Sequence, residues 1–215
     1  MARVLVACEE SGTVRDAFLR AGHYAISVDL RPSRSLVGPH FQGPIDEYLR
    51  KRSTPEFDLI IAHPPCTYLN LAGVRWLTEP DSNKLPLKGK PRMKALRTGS
   101  AFFNWCLALT KVCPRVCVEN PVMNPYAAEL CGKYSQTFQP WQFGEPQFKR
   151  TALWLRNLPH LEPTKILVPP KPGTAAHKQW SKVHRASPGA ERAQERSVFF
   201  KGVARAMAAQ WGPLL

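Results

Sequence analysis

A cysteine follows two prolines at the end of a short apolar run, Asp58-Leu59-Ile60-Ile61-Ala62-His63-Pro64-Pro65-Cys66. A thiol on a stiff Pro-Pro turn can act as a nucleophile if a strand carries it to a site. A carboxylate recurs in a similar setting, where Arg115-Val116-Cys117-Val118 runs into Glu119-Asn120-Pro121. A carboxyl group there can hold or deliver a proton, or simply cap a turn. A third polar cluster, Cys8-Glu9-Glu10-Ser11-Gly12-Thr13, separates a β-branched run from a helical one. A turn of this kind offers backbone N–H groups and a helix dipole to a ligand.

The ligand class follows from what that turn lacks. Only Gly12 stands where a dinucleotide fingerprint has three glycines. Glu9 and Glu10 would repel a pyrophosphate. Asp29 ends the next strand candidate and can accept hydrogen bonds from ribose hydroxyls. The pattern points away from NAD and toward a nucleoside ligand without phosphate. S-adenosylmethionine, with its sulfonium and its amino group, fits. Cys113 and Cys117 have no second close pair and no clustered histidines, so no metal site is expected.

These residues need strands that end on one edge. Residues 2–7 read as a strand, 14–21 as a helix closed by Gly22, and 24–28 as a second strand. That is one βαβ unit, and such units build parallel sheets. Residues 58–62 and 115–118 are further buried strands. Ligands of open α/β sheets sit at the carboxyl ends of the strands, which is where Cys66 and Glu119 fall. Residues 45–50 suit a short helix, 138–143 and 152–155 two later strands, and 99–110 and 199–211 helices. The stretch 67–98 carries Arg75, Lys84, Lys88, Lys90, Arg92, Lys94 and Arg97 and reads as a basic loop, a lid over the site. Residues 158–189 are rich in proline and basic residues and read as an exposed segment. The fold expected is a Rossmann-like α/β sheet, mostly parallel, with helices on both faces.

The chain has 215 residues and a formal net charge of +14. That excess favours an anionic partner, nucleic acid first. No apolar run is long enough for a membrane span and no signal-peptide pattern is present. The scattered cysteines do not suggest a secreted disulfide framework. A cytoplasmic protein, acting as a monomer, is expected.

Taken together, the motifs resemble those of the cytosine carbon-5 methyltransferases, in the family's order and over most of the chain. Pro64-Pro65-Cys66 resembles the nucleophile motif and Glu119-Asn120 the Glu-Asn motif. Gly144-Glu145-Pro146-Gln147-Phe148-Lys149-Arg150-Thr151 is similar to Gly-x-Pro-Gln-x-Arg-x-Arg, and Ser197-Val198 to the end of the motif that folds back on the cofactor. The short form is most similar to phage and prophage members. The resemblance implies S-adenosylmethionine as cofactor and a cytosine, flipped out of duplex DNA, as target. Cys66 would add to carbon 6, Glu119 would engage N3, and Lys149 or Arg150 would contact the base carbonyl or a phosphate. It implies cofactor contacts from Cys8, Glu9, Glu10, Ser11, Gly12, Asp29, Leu30, His63, Pro64, Ser197 and Val198.

Several positions depart from the family pattern. Cys8 replaces the usual aromatic, and Thr151 replaces the second arginine. Residues 1–157 and 195–215 would form the catalytic core. Residues 158–194 stand where sequence-reading members carry a recognition domain, which implies short, relaxed or partner-assisted recognition. Other readings share parts of the pattern: a DNA-binding relative without catalysis, an RNA methyltransferase, or an amino-methyltransferase. The last prefers an acidic residue or Asn before Pro-Pro and an aromatic after it, where this chain has His63 and Cys66.

Overall fold

The computed structural model describes residues 1–51, 57–181 and 198–215. One sheet of 7 strands organises it, in the order β3-β2-β1-β4-β5-β7-β6. The strands are β1 (Arg3–Ala7), β2 (Tyr24–Asp29), β3 (His40–Gln42), β4 (Leu59–Ala62), β5 (Val116–Pro121), β6 (Gln136–Phe138) and β7 (Thr151–Arg156). Neighbours from β3 to β5 pair in parallel, while β7 runs antiparallel to both β5 and β6.

Alternating side chains divide the core in two, as the two-residue period of a strand requires. Leu5, Ala7, Ile60 and Ala62 face one layer, with Phe103, Trp154 and the buried residues of α2 (Ile45–Arg50), α3 (Gly89–Leu107) and α4 (Pro125–Cys131). Val4, Val6, Leu59 and Ile61 face the other, with Phe18 of α1 (Thr13–Arg20) and Val203, Met207 and Trp211 of α6 (Lys201–Trp211). Both faces are covered, which is why β1 and β4 are continuous apolar runs. This is a Rossmann-like, doubly wound α/β fold. Strand order reverses between β1 and β4, so the ligand crevice of such a sheet opens at their carboxyl ends.

The first βαβ unit follows the sequence reading closely. The stretch 67–98 does not. It holds a 3₁₀ turn at Val74–Leu77, and α3 begins at Gly89, ten residues before the expected start. Pro91 obscures that start in the sequence, yet proline is tolerated in a first turn, where its missing N–H has no partner to lose. Asp81 Oδ1 accepts from Lys90 N at 2.8 Å and caps the helix from a distant loop. Strand β5 continues through Glu119 and Asn120 to Pro121 because β7 pairs with it along its length. Strand β6 stops at Phe138, and a 3₁₀ turn at Pro140–Gln142 takes the rest of the expected strand. The sequence reading missed β3 and α4. The described part of the exposed segment contains α5 (Ala175–Trp180), and residues 182–189 lie outside the described residues.

Candidate active site

The turn after β1 is built around a buried carboxylate. Cys8 takes a left-handed conformation (φ 57°) and Gly12 another (φ 71°), which fold the turn back under α1. Glu9 is 3% exposed. Its carboxylate accepts from Val14 N at 2.6 Å and Arg15 N at 3.2 Å, so it caps α1 from inside the protein. Burial raises its pKa, and the charge of His63 and the two amide hydrogen bonds pull it back down. Glu10 pairs with Arg34 at 3.0 Å and Arg31 at 3.4 Å. The two acidic residues of the turn are thus both engaged, one by helix amides and one by guanidinium groups.

Three asparagines hold the Cys66 turn. Prolines supply no N–H, so side chains add to the backbone bonds from Leu69 N and Asn70 N to Cys66 O, at 3.0 and 3.2 Å. Asn120 Nδ2, from β5, donates to Pro64 O at 3.1 Å. Asn70 Nδ2 donates to Cys66 O at 2.9 Å. Asn124 caps α4 through Ala127 N and donates to Tyr68 O and Leu69 O, each at 3.1 Å. Cys66 itself is half-buried. Burial pushes the other five thiols up: Cys8 to about 12, Cys113 to about 11, and Cys106, Cys117 and Cys131 in the same direction. A thiolate is the nucleophilic form, so these five are poorly suited to attack.

His63 leaves the end of β4 and meets Glu119, with Nδ1 2.9 Å from Oε2. Their side chains are 11% and 12% exposed. The ring of Phe199 lies against the imidazole at 4.8 Å between centroids. Val198, next to Phe199, is half-buried, and Ser197 lies outside the described residues.

A cavity of about 980 Å³ spans this edge. Cys8, Glu10, Asp29, Leu30, His63 and Cys66 all line it. Glu9, Ser11, Gly12, Pro64, Glu119, Lys149, Arg150 and Val198 are not in its lining. Lys149 and Arg150 lead into β7 beside the end of β5, since Thr151 pairs with Pro121. Lys149 Nζ stands 5.1 Å from the Phe200 ring centroid, and Arg150 reaches Thr137 Oγ1 at 3.4 Å. The Gly-Glu-Pro-Gln segment also braces the fold, as Glu145 Oε1 accepts from Gly202 N at 2.7 Å near the start of α6.

The far wall of the cavity holds residues that the sequence reading did not single out. Arg92, expected on a basic loop, lines the cavity and is only 5% exposed. Its guanidinium lies over Tyr68 at 5.2 Å and Trp76 at 5.1 Å. Burial lowers its pKa. No local signal separates Arg92 from the other basic residues of its stretch. The Asn-Pro pair at 124–125 did carry a signal, since asparagine before proline is a common entry to a helix, and Asn124 caps α4. Among the described residues, no group of His, Cys, Asp or Glu could hold a metal ion. No helix there is long and apolar enough to cross a membrane.

No family model matches the chain, and no curated protein matches it. Among solved structures it is similar to a protein assigned as a DNA modification methyltransferase encoded within an E. coli prophage. That match has 15% identity and a TM-score of 0.46, over 78% of this chain and 52% of that one. The chain is also similar to the bifunctional kinase-methyltransferase WbdD, with 14% identity and a TM-score of 0.45 over 78% of this chain and 36% of that one. A third is the Dnmt2 methyltransferase of S. pombe, with 16% identity and a TM-score of 0.39 over 88% of this chain and 56% of that one. The chain spans about half the length of the first and third, and about a third of the second.

Proposed function

We propose that this chain transfers a methyl group from S-adenosylmethionine to carbon 5 of cytosine in DNA, with Cys66 as nucleophile. The observation that carries this reading is the shared cavity, onto which the turns after β1 and β2 and the Cys66 turn all open. Its lining suits the cofactor. Glu10, Asp29 and Asp46 line the β1–β2 end together with Arg31, and Arg34, outside the lining, also pairs with Glu10. Such a lining favours a sulfonium and an ammonium group over a pyrophosphate. Leu30 is 71% exposed beside Asp29 and offers an apolar surface to a heterocycle. Cys8 and His63 complete this side. Ser11, Gly12, Pro64, Val198 and Ser197 remain contacts that only the motif resemblance implies.

When bound, the cofactor supplies a methyl group made electrophilic by its sulfonium sulfur. The protein's residues must make carbon 5 of cytosine nucleophilic. Cys66 Sγ adds to carbon 6 as a thiolate. Glu119 engages N3, where charge collects as the C–S bond forms. Lys149 and Arg150 lead into β7 beside the end of β5, and one or the other contacts the base carbonyl or a neighbouring phosphate. Removal of the carbon-5 proton then expels Cys66 and restores the ring. The target must leave the base stack to reach a thiol at this depth. The net charge of +14 suits duplex DNA bound through its phosphates, with a salt-dependent affinity.

The test uses purified protein, cofactor tritiated on its methyl group, and mixed duplex DNA or RNA. Label appears on carbon 5 of cytosine in DNA with the wild type and is absent with Cys66→Ala. Label that survives Cys66→Ala assigns the chemistry to an exocyclic amine and removes Cys66 from the reaction. Label on RNA alone changes the substrate, and label on neither supports the non-catalytic DNA-binding relative.

A further inference from the structure

The contact between His63 and Glu119 bears on where the reaction finds a proton. A carboxyl group can protonate a ring nitrogen only if it holds a proton, and an ordinary glutamate has lost it at neutral pH. Imidazole is the side chain that still carries one near neutrality. His63 Nδ1 is 2.9 Å from Glu119 Oε2. His63 Nε2 is buried and has no hydrogen-bond partner among the described residues. A second carboxylate, Glu9 on the turn after β1, lies close enough for the charge of His63 to lower its pKa. Phe199 closes one side of the ring. Two carboxylates and an aromatic ring therefore surround the imidazole, and the thiols Cys8 and Cys66 share the cavity that it lines.

We propose that His63 stores the proton that Glu119 delivers to cytosine N3, so that the two residues act as one relay. This rests on the function proposed above. As the Cys66 sulfur–carbon 6 bond forms, the C5=C6 pair moves between carbons 5 and 4, and the C4=N3 pair moves onto N3. Glu119 Oε2 takes a proton from the His63 imidazolium at Nδ1, and the carboxylic acid so formed gives that proton to N3. The imidazolium becomes imidazole, and Glu119 begins and ends as a carboxylate. On elimination the proton returns along the same path. His63 thus acts through Glu119 as a positioning and proton-holding residue. Sequence motifs alone had assigned it to the cofactor.

Cofactor-free exchange separates these roles. The adduct formed by Cys66 makes carbon 5 basic, so cytosine tritiated there releases label to water with no methyl donor present. The wild type shows a bell-shaped pH–rate profile whose alkaline limb belongs to the relay. In His63→Gln a donor to Glu119 remains but no transferable proton does, so exchange falls about 100-fold and the alkaline limb disappears. Adding His63→Gln to Glu119→Gln costs nothing more, because both act on one step. In His63→Ala, added imidazole restores part of the rate, a readout independent of how well the glutamine variant folds. The relay is overturned if His63→Gln exchanges with the wild-type profile and only its KM for cofactor rises, or if imidazole restores nothing. A wild type that neither exchanges nor methylates cytosine overturns the function and the relay together. A wild type that methylates, with an unaltered pH profile in His63→Gln, removes the relay alone.

Discussion

Asn120→Ala separates the scaffold of the site from its chemistry. Asn120 is 1% exposed, and its Nδ2 donates to Pro64 O at 3.1 Å from the neighbouring strand. The alanine variant leaves a buried carbonyl without its donor, a loss of about 1–3 kcal/mol. One term offsets this. Asn120 Oδ1 is buried with no partner among the described residues, so its removal relieves an uncompensated desolvation. The net loss falls in the lower half of the range, about 1–2 kcal/mol. For a chain of this size that lowers Tm by about 2–8 °C. The Pro64-Pro65-Cys66 turn also loses its anchor to β5, and a displacement of about 1 Å at a nucleophile can cost ~10²-fold in rate. Asn120 does not line the cavity, so cofactor affinity should hold. Thermal denaturation, turnover and calorimetric titration of S-adenosylmethionine read the three quantities separately. Wild-type Tm with wild-type turnover refutes the clamp, and so does a loss of cofactor affinity as large as the loss of rate.

Three further outcomes follow from the same geometry. At neutral pH iodoacetamide should label Cys66 first, since burial and the Asp29 charge hold the Cys8 thiol up at about 12 and burial raises the remaining four; peptide mapping that finds Cys117 labelled before Cys66 contradicts this. Glu9 has a pKa above its ordinary 4.5 in the folded state, so the folded protein holds that proton more tightly than the unfolded chain does. Its contribution to stability is therefore lost as pH rises from about 4.5 through the raised value. Urea melts across that range should show the decline in the wild type and not in Glu9→Gln. Arg92→Met keeps most of the side-chain volume and removes a buried guanidinium, so stability should stay within about 1 kcal/mol. Its effect should instead appear as a raised KM for the nucleic acid and a shallower salt dependence of binding. A large loss of stability with unchanged KM would make Arg92 a purely structural residue.

Local residue order sufficed for the first βαβ unit, since β1, α1 and β2 each carry their own period, Gly22 closes α1 and Asp29 ends β2. The same holds for Cys66 at a strand end, because an apolar run closed by Pro-Pro leaves the backbone no ladder to continue. Short-range patterns could not reveal α3. Its first turns are capped by Asp81 from outside the helix, and its basic residues hide that Arg92 turns inward between Tyr68 and Trp76. Nor could they reveal that Glu9 spends its carboxylate on the amides of α1 while Glu119 faces His63, 56 residues away in the chain. The sheet decides both. Parallel pairing of β1, β4 and β5 brings Ala7, Ala62 and Val118 side by side, so whatever follows each strand must share one edge. Residue types and strand ends are properties of the chain. Which carboxylate meets which base depends on strand order, and long-range pairing alone sets that order.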